Sequence, residues 1–96
     1  QRALQAWLEI YQTATDDRIK KIASNHLYRA KATIDTQNIM EALKKFKSKF
    51  SRNPMDLSQL VRAGFLSSLP KDLDGKDYLY NSKTGEVKAP TIPWKR

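Results

Sequence analysis

Ninety-six residues are enough for one small domain with one modest core, and a chain of this length buries roughly 65% of its unfolded surface. A content of 40% hydrophobic and 29% charged residues is typical of a globular domain and excludes collagen-like, mucin-like and mostly disordered classes. The sequence has no cysteine, which excludes disulfides and thiolate chemistry, and no apolar run approaches the roughly 20 residues of a membrane span. The net charge of +8 leaves an anionic partner open.

Apolar residues at helical spacing predict a first helix from Ala3 to Ala14. At about 100° per residue, these side chains share an arc of about 160°. They are Ile10, Ala3, Ala14, Trp7, Tyr11, Leu4 and Leu8. This arc is wider than one neighbouring helix covers, so we expect the helix to have two neighbours. Thr15, followed by Asp16 and Asp17, is typical of an N-cap and predicts a second, antiparallel helix.

Two further apolar stripes predict a second and a third helix. The second helix has the stripe Ile19, Ile22, Ala23, His26, Leu27 and Ala30. The β-branched and capping residues 33–36 then interrupt the pattern, which predicts that the third helix starts at Asp35 or Thr36. Its stripe is Ile39, Leu43, Phe46 and Phe50, and residues 51–54 end it.

After Pro54 the pattern predicts shorter elements. Asp56 and Gln59 form a capping-box pattern for a brief helix, and Gly64 is its predicted C-cap. Alternating apolar residues in 78–80 and 86–88 flank a turn-rich stretch, which predicts a small β-hairpin. Because two strands alone are marginally stable, we expect this tail to fold onto the helices.

The helical hairpin resembles a tetratricopeptide repeat. The residues that carry this resemblance stand at spacings similar to the packing positions of that motif. They are Trp7, Ile10, Tyr11, Ala23, Leu27 and Ala30. The resemblance implies a protein-interaction scaffold, in which small residues let the helices approach closely and each repeat packs on the next.

The segment 53–87 is similar to a tail found in bacterial pilin-like and type II secretion pseudopilin proteins. The motifs that carry the similarity are, in this order, Pro54-Met55-Asp56-Leu57-Ser58-Gln59-Leu60-Val61, Gly64-Phe65-Leu66, Leu69-Pro70-Lys71-Asp72, Gly75, Tyr78-Leu79-Tyr80-Asn81 and Thr84-Gly85-Glu86-Val87. The similarity implies a noncatalytic module in a bacterial envelope or secretion setting, with the periplasm or cell envelope as its location.

These patterns together predict a mainly α fold. We expect a three-helix core, made of the tetratricopeptide-like hairpin and a capping helix, followed by a short helix and a small C-terminal β-hairpin. Residues 1–96 form one domain, with a helical part in 1–52 and the short helix, hairpin and extended tail in 53–96. Because the chain starts without a methionine and runs at once into a helix, we expect it to be the C-terminal fragment of a longer chain.

The sequence predicts no catalytic residue and no cofactor. His26 lies on the apolar stripe of the second helix, so we expect it to be buried or half-buried and bonded to a backbone group. Asp72, Asp74 and Asp77 surround Gly75 and are weak candidates for a calcium site, although capping and turn roles are favoured and no other metal site is expected.

Lysines on the second and third helices are candidates for an anionic partner, and a solvated helix face is the favoured interpretation. They are Lys20, Lys21, Lys44, Lys45, Lys47 and Lys49. Nucleic acid is not favoured because no recognised nucleic-acid motif accompanies the charge. Anionic lipid headgroups or an acidic protein surface fit the charge equally well.

The predicted function is therefore a noncatalytic protein-interaction or assembly module, with a small basic nucleic-acid-binding domain as the alternative. The predicted partner is a protein, either an upstream helical repeat or a second copy of the chain, and no small-molecule substrate is expected. Its predicted contact residues are Ala3, Trp7 and Ile10, on the part of the first helix that the second helix is too narrow to cover.

Overall fold

The computed structural model of the protein describes residues 2–96. Its elements are helix α1 (Arg2–Thr13), helix α2 (Asp17–Phe50), helix α3 (Ser58–Arg62), strand β1 (Leu79–Asn81), strand β2 (Glu86–Lys88) and a 3₁₀ turn (Pro93–Lys95). The predicted fold class, mainly α with a short helix and a small C-terminal β-hairpin, is confirmed.

Helix α2 runs without interruption through residues 33–36, so the predicted boundary between a second and a third helix is wrong. The Thr33 hydroxyl donates to the carbonyl of Arg29 (2.9 Å), and the Thr36 hydroxyl donates to the carbonyl of Ala32 (2.8 Å). A threonine whose hydroxyl is satisfied by the carbonyl four residues back is accommodated inside a helix. These side chains therefore do not cap a new helix.

The apolar pattern changes in the middle of α2 because the helix has two different neighbours. Ala23 and Leu27 are buried in its N-terminal half, where α2 packs against α1. Ile39, Leu43 and Phe46 are buried in its C-terminal half and belong to the main core. At about 100° per residue, the two stripes lie on roughly opposite sides of the helix. The pattern therefore marks a change of neighbour and not the end of a helix.

Helix α1 packs on one neighbour, α2, within residues 2–96, whereas the width of its apolar arc predicted two. None of its described residues is buried. The connection to α2 is short, and the N-cap is Asp16 in place of the predicted Thr15. The Asp16 carboxylate accepts a hydrogen bond from the backbone N–H of Arg18 (2.8 Å).

The tail after Pro54 folds back along α2, as the sequence predicts. Gly64 has φ of +84°, and its N–H donates to the carbonyl of Val61 (3.0 Å) while that of Phe65 donates to Leu60 (2.9 Å). This pair of bonds closes α3 and turns the chain toward the core, as in a Schellman motif. Strands β1 and β2 are antiparallel, with Tyr80 opposite Val87.

One main core joins α2, from Tyr28 to Phe46, to the tail. Its members come from α2, α3 and the hairpin region. They are Tyr28, Ala32, Ile39, Ala42, Leu43, Phe46, Leu60, Tyr78 and Val87. The hairpin is therefore stabilised by packing against side chains of α2, since two strands alone are marginally stable.

Candidate functional site

A groove crosses the N-terminal half of α2 between α1 and the 3₁₀ turn. It consists of two clefts of about 220 Å³ each, which share His26 and Arg29. Ala3 and Trp7 of α1 line one cleft, and Trp94 of the 3₁₀ turn lines the other. We call this feature the α1–tail groove. Its remaining lining residues are Ile22, Asn25, Ala30, Thr33 and Pro93.

Large apolar side chains stay accessible in and beside the groove. Ile22 is 53% exposed and Trp94 is 73% exposed. Ile19 lies one turn before Ile22 on α2 and is also exposed. Exposed apolar residues that are grouped, and not scattered singly, are typical of an interaction site.

The centre of the groove is a stack of Trp7 on His26. Their ring centroids are 3.9 Å apart and their planes are inclined by 3°. His26 is exposed, so the prediction of a buried or half-buried histidine is wrong. The reason is that Trp7 of α1 covers the His26 ring by stacking on it, while the histidine also lines both open clefts of the groove. The stacked rings of Trp7 and His26 line the same cleft as Arg29. The Arg29 side chain forms no ion pair among residues 2–96.

The tail wall of the groove is held in place by Arg96. Its guanidinium forms two hydrogen bonds to the Asp74 carboxylate (2.9 and 2.5 Å) and donates to the backbone carbonyl (2.8 Å) and hydroxyl (3.0 Å) of Ser24 on α2. It also lies 4.8 Å above the ring of Tyr28. The hydrogen bond from Arg96 lowers the pKa of the Asp74 carboxyl, and the same bond raises the pKa of Arg96. Both shifts favour the charged pair that anchors the tail.

Two tyrosine–carboxylate pairs, one buried and one partly buried, attach the tail to α2 farther along. The Tyr28 hydroxyl donates to Asp72 (2.8 Å), and the Tyr78 hydroxyl donates to Asp35 (2.6 Å). Burial and the neighbouring carboxylate raise the pKa of both tyrosines, and the rise is large for Tyr78. Lys31 also donates to Asp35 (2.6 Å). These hydrogen bonds position the tail and satisfy carboxylates that burial would otherwise penalise.

The structure places the three predicted contact residues along one edge of α1. Ala3 and Trp7 line the groove, and Ile10, two turns beyond Ala3 on the same side of the helix, is 40% exposed. Trp7 is half-buried. Their role in partner binding stays a prediction.

Sequence reasoning missed the other walls of the groove. Trp94 contributes to it because the tail folds back over α2, whereas Arg29 belongs to α2 and lines both clefts. The sequence predicts an extended tail but does not indicate where that tail docks.

The three aspartates proposed as weak calcium candidates have different partners in the fold. Asp72 is buried and accepts from Tyr28 and from the N–H groups of Asp74 (3.0 Å) and Lys76 (2.7 Å). Asp74 pairs with Arg96, and Asp77 pairs with Lys71. Among residues 2–96, no group of three or more histidine, cysteine or acidic side chains is placed to hold a metal ion.

The six candidate lysines are exposed but lie in two places. Lys20 and Lys21 are in the first turns of α2, and the other four are in its last two turns. None of the six forms an ion pair among residues 2–96. No helix in this part of the chain contains an apolar stretch that could cross a bilayer, since charged side chains recur along the 34 residues of α2.

Comparisons with protein families, with curated proteins and with solved structures find no match to this chain. The resemblances to a tetratricopeptide repeat and to a pilin-like tail stay predictions.

Proposed function

We propose that the protein is a noncatalytic interaction module that binds an acidic amphipathic segment of a partner protein in the α1–tail groove. One observation carries the proposal. The groove brings exposed apolar side chains from three separate elements around an arginine, and no aspartate or glutamate is among the residues that line it.

The apolar part of the groove supports a partner with an apolar face. Trp94 and Ile22 are more than half exposed, so covering them removes apolar surface from water. Tryptophan and arginine are also the residue types that most often dominate the free energy of an interface. An amphipathic helix that lays one face into a groove is a common way of meeting such a surface.

The charge of the groove supports carboxylates beside that face. Arg29 lies in both clefts and has no ion-pair partner among residues 2–96. A carboxylate can pair with a guanidinium through two hydrogen bonds. A second copy of this chain fits less well, because each copy has a net charge of +8 and the two would repel each other.

Tryptophan fluorescence tests the proposal directly, because Trp7 and Trp94 are the two tryptophans of the chain and both line the groove. The probe is a short synthetic helix with leucine at every third or fourth position and glutamate on both sides of that stripe. We expect it to shift the emission to shorter wavelengths. The same peptide with lysine in place of glutamate should bind much more weakly.

Paired variants locate the binding site. We expect Trp94→Ala and Ile22→Ser each to weaken binding by about tenfold or more. Met40→Ser is the control for Ile22→Ser, because Met40 is also exposed and lies on the same side of α2, five turns farther along. Equal binding of both peptides, or equal effects of Ile22→Ser and Met40→Ser, would contradict the proposal. Self-association that is lost in Ile22→Ser would identify a second copy as the occupant.

The pilin-like resemblance of segment 53–87 supports an assembly role in a bacterial envelope or secretion system, and the tetratricopeptide-like hairpin supports a protein as the partner.

A further inference from the structure

The C-terminal end of α2 carries a dense positive charge. Lys44, Lys45, Lys47, Lys49 and Arg52 fall within nine residues, and no acidic residue occurs between positions 42 and 55. The four lysines are exposed and form no ion pair among residues 2–96. We call these five residues the basic end. Unpaired cations at this density attract an anionic surface over a distance of several ångströms.

Exposed apolar side chains lie at the same end of the molecule. Phe50 is the last residue of α2 and is 43% exposed, and Met55 in the following loop is 77% exposed. Lys49 lies 5.4 Å from the centre of the Phe50 ring. Phe50 and Met55 thus extend the basic end with side chains that prefer an apolar surrounding.

Hydrogen bonds fix the position of the loop that follows α2. Ser51 adopts a left-handed conformation (φ +60°), and its N–H donates to the carbonyl of Lys47 (2.8 Å) and ends the helix. The side-chain carbonyl of Gln59 then accepts from the backbone N–H of Met55 (2.8 Å) and from Arg52 (3.5 Å). Gln59 therefore holds Met55 beside the last positive charge of the basic end.

We propose that the basic end docks on the surface of an anionic lipid bilayer, with the lysines at the headgroups and with Met55 and Phe50 entering the interface. Clustered lysine and arginine residues bind anionic headgroups, and nearby aromatic or apolar side chains add affinity by entering the headgroup region. The exposed apolar side chains favour lipid over nucleic acid, because a purely phosphate-directed surface gains nothing from an exposed methionine. This site lies in the opposite half of α2 from the α1–tail groove and does not depend on the function proposed for that groove.

Vesicle sedimentation tests this docking site. We expect the protein to bind mixed vesicles that contain equal amounts of phosphatidylcholine and phosphatidylglycerol, and to dissociate from them as the salt concentration is raised. It should not bind vesicles of phosphatidylcholine alone. Lys47→Gln and Lys49→Gln should each weaken binding by roughly fivefold, the effect expected for one charge near an anionic surface. Lys20→Gln and Lys21→Gln remove the same charge at the other end of the same helix and should have little effect. Equal effects at the two ends would overturn the proposal.

A second set of variants separates lipid from nucleic acid. Met55→Ser should weaken vesicle binding by about threefold or more, since it removes an apolar side chain from the interface, whereas Leu73→Ser, at an exposed site elsewhere, should not. Circular dichroism should show unchanged folding, because both side chains are exposed. Tight binding of duplex DNA at physiological salt, together with no effect of Met55→Ser on vesicle binding, would overturn the proposal in favour of a nucleic-acid site.

Discussion

The two halves of α2 are packed in different ways. The C-terminal half meets α3 and the hairpin in a core that contains Ile39, Leu60 and Tyr78, all nearly or fully buried. The N-terminal half meets α1, a helix with no buried residue among those described, and the end of the tail. Most of the buried apolar side chains therefore belong to the main core, whereas Ile19 and Ile22 stay exposed in the N-terminal half. A single long helix can thus carry a packed core along one half and an accessible apolar surface along the other.

The largest expected effect on the free energy of unfolding comes from truncating an aromatic side chain of the main core. The matching variant truncates the aromatic side chain that packs on the N-terminal half of α2. Phe46→Ala should lower the free energy of unfolding by about 3–5 kcal/mol, because Phe46 is almost completely buried. Trp7→Ala should cost about 1–2 kcal/mol, because the indole is only half-buried against His26. Urea denaturation followed by circular dichroism measures both. Equal losses would show that the two halves contribute alike.

The next effect concerns the Tyr78–Asp35 hydrogen bond in the core half. Tyr78→Phe should cost about 1–2 kcal/mol at neutral pH, because it removes the hydroxyl that donates to a partly buried carboxylate.

The same tyrosine predicts alkaline instability. Burial, with the carboxylate of Asp35, raises the pKa of Tyr78 in the folded state, whereas an unfolded tyrosine ionises near pH 10. The stabilisation is thus complete below pH 10 and decreases as the pH rises above it, because only the unfolded state releases the proton there. Urea midpoints between pH 8 and 11 should fall, and they should fall less steeply in Tyr78→Phe. A wild-type midpoint that stays constant over this range would contradict the account.

A smaller and local effect is expected where the tail reaches the N-terminal half. Arg96→Gln removes the ion pair with Asp74 and weakens the bonds to Ser24. We expect backbone amides in residues 90–96 to exchange about tenfold faster, with little change in the amides of the core. Lys95→Gln, a neighbouring exposed charge, is the control. Unchanged exchange would mean that Arg96 does not anchor the tail.

The smallest expected effect on stability is that of Ile10→Lys. Ile10 is partly exposed at the edge of α1, so the charge can reach water and the free energy of unfolding should change by no more than about 0.5 kcal/mol. Binding of the acidic amphipathic peptide should change measurably, because the substitution alters the edge of the groove that Ala3 and Trp7 line. A variant that unfolds would show that Ile10 belongs to the folding core.

The part of the fold that depends on local backbone chemistry could be predicted from the sequence. Gly64 and Gly85 both adopt positive φ, and they mark the end of α3 and the hairpin turn. Tyr78 and Val87 become core residues in the tail, as the alternating pattern indicates. These features are determined by neighbouring residues, so a short window of sequence contains the necessary information.

The part that depends on long-range packing could not be predicted. Thr33 and Thr36 have the chemistry of caps, and only their hydrogen bonds to the preceding turn show that they belong inside a helix. Arg96 contacts residues about seventy positions earlier, and nothing near it in the sequence indicates that partner. The sequence predicts the groove only in part for the same reason. One wall comes from α1 near the start of the described residues, and the other comes from the 3₁₀ turn near their end.

The continuity of α2 through residues 33–36 has a mechanical consequence. An α-helix rises about 1.5 Å per residue, so the groove around Ile22 and Arg29 lies roughly 25–30 Å along the axis from the lysines near residue 45. Both sites lie on one continuous helix, with no loop between them that could act as a hinge. The longest dimension of the molecule is 51 Å. The helix therefore acts as a rigid spacer that keeps the groove and the basic end at a fixed distance and at a fixed rotation about the helix axis.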